Sequence, residues 1–65
     1  MTEKDTYSRI LDAAESILRE KGIDGLSMRE ISARIGLSAP AAYRHFASKD
    51  EIIKEIINRG YHTFL

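Results

Sequence analysis

Between Tyr7 and Lys21 the apolar residues Ile10, Leu11, Ala14, Ile17 and Leu18 recur at the i, i+1, i+4, i+7, i+8 spacing of one helix face. Asp12, Glu15 and Arg19 fall on the opposite side. Gly22 stands just past this helix, where a residue often takes positive φ; Ile23 follows where it can touch Leu18, and Asp24 and Gly25 make the turn. A second pattern opens at Leu26. Ser27 and Glu30 have capping-box spacing, in which the serine oxygen accepts from the amide three residues on and the glutamate reaches back to the cap amide. Leu26 and Ile31 are placed to form the accompanying hydrophobic staple. Gly36, directly after Ile35, ends the second helix early, and Ser32 is small enough to let a following helix cross closely.

Ser38 is a good N-cap, and Pro40 lies in the first helical turn, where its missing amide hydrogen costs little. The third helix is therefore expected from about Ala39 to His45, a length of roughly 10 Å at 1.5 Å per residue, comparable to the width of a DNA major groove. Ser48 and Glu51 repeat the capping-box spacing and start a fourth helix with an apolar stripe of Ile52, Ile53, Ile56, Ile57, Tyr61 and Phe64, interrupted by Gly60. Period-two alternation is absent, so no strand is expected. The predicted fold is all-α: one domain over residues 1–65, a small homeodomain-like bundle of four helices with a helix-turn-helix in its middle.

Composition narrows the classes. A chain of 65 residues of this kind buries only about 60% of its unfolded surface. Cysteine is absent, which removes disulfides and thiolate metal sites. No apolar run approaches the roughly 20 residues of a membrane span, and the N-terminus lacks a secretory apolar region, so no membrane association and a cytoplasmic location are expected. Net charge is zero, which on its face argues against nucleic acid. The distribution says otherwise: Arg34 to Lys49 carries three cations and no acid, whereas the segments on either side are each slightly acidic.

Two short helices joined by a tight glycine-containing turn form the arrangement in which the first braces on the DNA backbone and the second enters the groove. The helix starts at Ser27, Ser38 and Ser48 add unpaired amides and positive dipole ends that attract phosphate without formal charge. Tyr43 carries a ring able to pack inward and a hydroxyl able to donate to phosphate. Lys49 at the first position of the fourth helix opposes the local dipole, which points to a nearby anion. Arg34, near the end of the second helix, reads as a solvated charge. No Asp/Glu/His cluster at metal spacing, phosphate-cradling glycine loop or nucleophile motif is present, so neither an enzyme nor a cofactor is expected. A second class stays open: a protein-interaction module that docks another helix on the stripe of Ile52, Ile56 and Tyr61.

The run LSMREISARIGLS, with Tyr43-Arg44-His45-Phe46 and Ala47-Ser48-Lys49-Asp50-Glu51 after it and a first helix ending at Gly22 before it, resembles the N-terminal DNA-binding domain of the TetR family of transcriptional regulators. The resemblance extends from about Ser8 to Tyr61, and its distinctive part is Tyr-x-His-Phe-x-x-Lys. It implies a homodimer on a palindromic double-stranded DNA operator, usually as a repressor, released when a small-molecule effector occupies a C-terminal helical domain. It further implies that Ser27, Tyr43, His45 and Lys49 contact phosphates, while Arg29, Ala39, Pro40, Ala41 and Arg44 face bases or their rim. The alanines have no hydrogen-bonding side chain and are limited to shape and thymine-methyl contact, which leaves Arg29 and Arg44 for guanine recognition or, equally, for phosphate or solvent. His45 can alternatively cap the third helix or pack beside Phe46. At Arg44 the family often carries an aromatic residue, so that position rests on charge and placement alone. The family's effector and dimerisation region has no counterpart before Leu65. The chain accordingly reads as an excised or partly ordered reader domain, expected to be monomeric or weakly self-associated.

Overall fold

The computed structural model describes residues 5–60. They form four α-helices: α1 (Thr6–Lys21), α2 (Met28–Ile35), α3 (Ala39–His45) and α4 (Lys49–Asn58), with a single 3-10 turn, Ile23–Gly25, between the first two. No strand occurs among the described residues. Tyr61 and Phe64, the last members of the predicted apolar stripe, lie outside them.

Each helix starts and stops for a local reason. The Asp5 side chain accepts from the Ser8 amide at 2.8 Å and caps α1. Gly22 ends that helix at φ 77°, its amide donating to the Leu18 carbonyl at 2.9 Å. Ile23 remains half exposed, at 50% of its surface, instead of closing into the core behind Leu18. Gly25 needs its missing side chain, since a Cβ there would run into Cβ of Lys21, an atom fixed to the α1 backbone. Gly36 takes the left-handed conformation (φ 69°, ψ 32°) and turns the chain from α2 toward α3.

The first capping box forms by half, and the second does not close: its glutamate reaches past the cap to the preceding amide. Ser27 Oγ accepts from the Glu30 amide at 3.0 Å, while the Glu30 carboxylate turns to Lys21 (3.4 Å) and Arg34 (3.5 Å). Ser48 makes no side-chain capping bond, whereas Glu51 Oε1 accepts from the Ala47 amide at 3.1 Å. Ser38 caps α3 by accepting from the Ala41 amide at 3.3 Å.

α1 is the central element, packed on α2 and on α4, while α3 packs on α2. Its Ile10, Ala14 and Ile17 are fully buried, as are Ile31 of α2, Ala42 of α3 and Ile52 and Ile56 of α4. Burying a large aliphatic side chain contributes about 1.5–3 kcal/mol, so this shared core is what holds together helices too short to persist alone. The staple pair Leu26 and Ile31 belongs to the same core. Ile52 and Ile56 are thereby consumed inside the domain, which removes the middle of the stripe that an interaction module would need. Ser32, 3% exposed, donates its hydroxyl to the Met28 carbonyl at 2.8 Å, and among the described residues no buried side-chain polar atom is left unpaired.

Around the core, arginines tie one helix to the next. Arg59, just after α4, reaches Glu15 (3.0 Å) and Asp12 (3.4 Å) of α1. Arg34 of α2 pairs with Glu20 of α1 through two nitrogens and also with Glu30. That corrects its reading as a solvated charge. The second partner, one helical turn away, is local; the stronger one lies on another helix. Arg9 donates to the Ile35 carbonyl at 3.0 Å, at the end of α2. Partly exposed pairs of this kind contribute little to stability, about 0–1 kcal/mol each, but they fix how the helices sit.

Candidate nucleic-acid interface

α3 has two faces. Ala42 (fully buried) and Phe46 at its C-cap (3% exposed) are four residues apart and point into the core. Ala39 and Tyr43, and Pro40 and Arg44, are pairs at the same spacing that lie in solvent, with Ala41 half-buried beside them. Tyr43, whose ring had two possible homes, keeps 51% of its surface exposed. The structure thus brings Ala39, Pro40, Tyr43 and Arg44 onto one outward surface of a short, firmly seated helix. It is small and flat at one end and carries a phenol and a guanidinium at the other.

Arg29 is exposed on the first turn of α2, beyond the Ser27 cap. Ser27 itself is exposed, with its hydroxyl engaged by the Glu30 amide. Lys49 is less free than its position suggests: its Nζ donates to the Leu26 carbonyl at 3.4 Å and is partly buried. The cation set against the dipole of α4 has therefore found a carbonyl oxygen, and in doing so it joins the start of α4 to the start of α2 beside Ser27. His45 is exposed and sits apart from the outward surface of α3, on a groove of about 350 Å³ shared with Tyr7, Phe46, Glu51, Lys54 and Glu55.

That groove exposes a residue that sequence reasoning does not single out. The Tyr7 ring stacks on Phe46 with centroids 5.1 Å apart and planes at 24°, and its hydroxyl donates to Glu55 Oε1 at 2.9 Å. The bond to a carboxylate raises the Tyr7 pKa above its ordinary value, with partial burial adding to the effect. Nearby, the Ser8 amide and hydroxyl hold the Asp5 carboxyl below its ordinary value, with His45 adding a smaller pull in the same direction. The sequence does hold a signal for Tyr7, since it extends the α1 stripe by one turn, at i−3 and i−4 from Ile10 and Leu11.

The positive segment is weaker in space than in sequence. Arg34, one of its three cations, is neutralised by Glu20 and Glu30, so Arg44 and Lys49 are what that segment offers to an anion. Among the described residues no helix is long and apolar enough to cross a membrane.

Comparison with known proteins agrees with this architecture. Residues 10–56 match the model of the bacterial regulatory proteins of the tetR family. The chain is 32% identical over 61 residues to the HTH-type transcriptional regulator SAB2452 of Staphylococcus aureus (strain bovine RF122 / ET3-1), covering 94% of this chain and 33% of that protein. It is 29% identical over 62 residues to the HTH-type transcriptional regulator SAUSA300_2515 of Staphylococcus aureus (strain USA300), covering 95% and 34%. The crystal structure of the multidrug binding protein EbrR complexed with malachite green superposes with a TM-score of 0.83 at 30% identity, covering 88% of this chain and 33% of that one. The chain spans about a third of the length of the relatives it matches. With a matching family model across its helix-turn-helix and core, the chain belongs to the TetR family of bacterial transcriptional regulators, a family of DNA-binding regulators and not of enzymes.

Proposed function

We infer that this chain is the DNA-reading module of a transcriptional regulator, most simply a repressor, and that α3 enters the major groove of an operator half-site. The observation that carries this reading is the outward surface of α3: Ala39, Pro40, Tyr43 and Arg44 stand in solvent on a helix whose other side is locked into the core by Ala42 and Phe46. A protruding short helix with a rigid seat and a small-residue tip can approach base edges closely. Arg44, with Arg29 on α2, supplies the hydrogen-bonding chemistry for guanine, and the alanines supply shape and thymine-methyl contact. Ser27, Tyr43, His45 and Lys49 serve the phosphates on either side.

In a protein of the relatives' length, two copies of this module would read the two halves of a palindrome, and a small molecule bound in a C-terminal helical domain would release them. The naming of EbrR as a multidrug binding protein in complex with malachite green supports a small-molecule input for such an assembly. The site of action would be the cytoplasmic nucleoid.

Selection of bound sequences from a random duplex library tests the reading. A recovered motif containing guanine, bound more weakly as salt rises, is the expected result. Binding that ignores salt, or no duplex retained at low ionic strength, overturns it.

A further inference from the structure

We propose that Tyr7 is a positioning residue for the recognition helix, setting the angle at which α3 meets DNA by clamping Phe46 against α4. The inference rests on the reading of α3 as the groove-entering element.

α3 has seven residues, and its own buried side chain is Ala42 alone. A helix of two turns has little stability of its own, so its direction is decided by whatever holds its ends. At its N-terminal end the hold is the Gly36 turn and the Ser38 cap. At its C-terminal end the hold is Phe46, whose ring is the first group past the helix to enter the core. Tyr7 covers that ring at 5.1 Å and is itself fixed to α4 through Glu55 at 2.9 Å. Three elements thus meet at one phenol: α1 by its backbone, the end of α3 by its ring and α4 by its hydroxyl. Tyr7 nevertheless keeps 39% of its surface exposed, so the core of Ile10, Ile17, Ile31, Ile52 and Ile56 closes without it. That combination separates aim from stability. Losing the clamp lets the far end of α3 tilt, and Arg44, two residues before Phe46, moves with it. Bidentate recognition of a base tolerates far less displacement than contact with a phosphate.

The test compares Tyr7→Leu and Tyr7→Phe with the unsubstituted 65-residue chain, each measured on a duplex selected by that chain and on a scrambled duplex of equal length. Tyr7→Leu is expected to lower the ratio of the two affinities about ten-fold, the size of one degraded base contact, while binding to the scrambled duplex and its salt dependence stay unchanged. Tyr7→Phe keeps the stack and loses the bond to Glu55, the tie to α4, and is expected to lower the ratio by less, about three-fold, the size of one lost hydrogen bond. Amide chemical shifts should move in Ala42 to Phe46 and not in α2 for both variants. An unchanged ratio in folded Tyr7→Leu overturns the proposal, as does equal weakening on both duplexes. Should Tyr7→Leu fail to fold, unperturbed α3 amides in Tyr7→Phe overturn it equally. A parent chain that prefers no duplex refutes the reading of α3 itself, and the proposal falls with it.

Discussion

Two serines with the same sequence signature do different things here, and single substitutions should tell them apart. Ser27 and Ser48 each precede a glutamate by three positions, yet the Ser27 hydroxyl receives an amide at 3.0 Å and the Ser48 hydroxyl makes no capping bond. Ser27→Ala should cost about 1 kcal/mol, typical of a lost N-cap, while Ser48→Ala should stay within about 0.5 kcal/mol; urea unfolding of the two variants measures the difference. The spacing alone identifies a helix start, but whether the glutamate closes the box depends on what else it can reach, both within its own helix and on a neighbouring one. Glu30 is claimed by Lys21 and Arg34. At the interface, Arg44→Ala should alter sequence preference, with a loss of about 1–3 kcal/mol on the selected duplex. Lys49→Ala should weaken every duplex alike and lower the salt slope by about one, since a phosphate contact carries no sequence information. Binding measured on a panel of duplexes checks both; equal effects of Arg44→Ala on every member would contradict base readout there.

At the scale of the helices, the boundaries are legible because each is set within a few residues of itself. Ser27 and Ser38 cap, Gly22 and Gly36 terminate, and the periodicity of Ile10 to Leu18 buries the side it predicts. What the sequence does not reveal is how the helices are tied together, since those bonds join positions far apart along the chain: Arg34 with Glu20, Arg59 with Glu15, Tyr7 with Glu55. The candidate surface divides in the same way. The outward residues of α3 follow from helical spacing, whereas the tether of Lys49 to the Leu26 carbonyl and the neutralisation of Arg34 follow only from packing. The Arg34 tie has a consequence for acid. Hydrogen bonds from Arg34 hold the Glu20 carboxyl below its ordinary value. A depressed carboxylate stabilises the fold above its unfolded pKa, and that stabilisation is lost as pH falls through the lower native value. In Arg34→Met the Glu20 titration midpoint, followed by NMR, should rise toward the ordinary glutamate value, while Asp5, held by Ser8, should not move.

For the molecule as a whole, zero net charge and DNA binding are compatible only if the electrostatic contribution is small and local. The cations proposed to face phosphates and bases are Arg29, Arg44 and Lys49, whereas Arg34 and Arg59 are committed to ties between helices. Each neutralised phosphate adds about 0.9 to the magnitude of the salt slope, so one module on one half-site should show a slope between about −1, with Lys49 alone on phosphate, and about −3, with Arg29 and Arg44 also neutralising phosphates. A much steeper slope would mean that other side chains, such as Arg9, Arg19 or Lys54, also reach the backbone and that the contact surface extends well beyond α3. The same small contribution predicts weak half-site binding by the 65-residue chain, which should sediment as a monomer or a weakly associating species. Two modules joined by a flexible linker matched to a palindrome should then gain about 10²–10⁴ in affinity through effective concentration, with the slope doubling because each module brings its own three cations. A tight dimer of the single module, or a linked pair that binds no better than one copy, would show that the half-site is not the unit this fold reads.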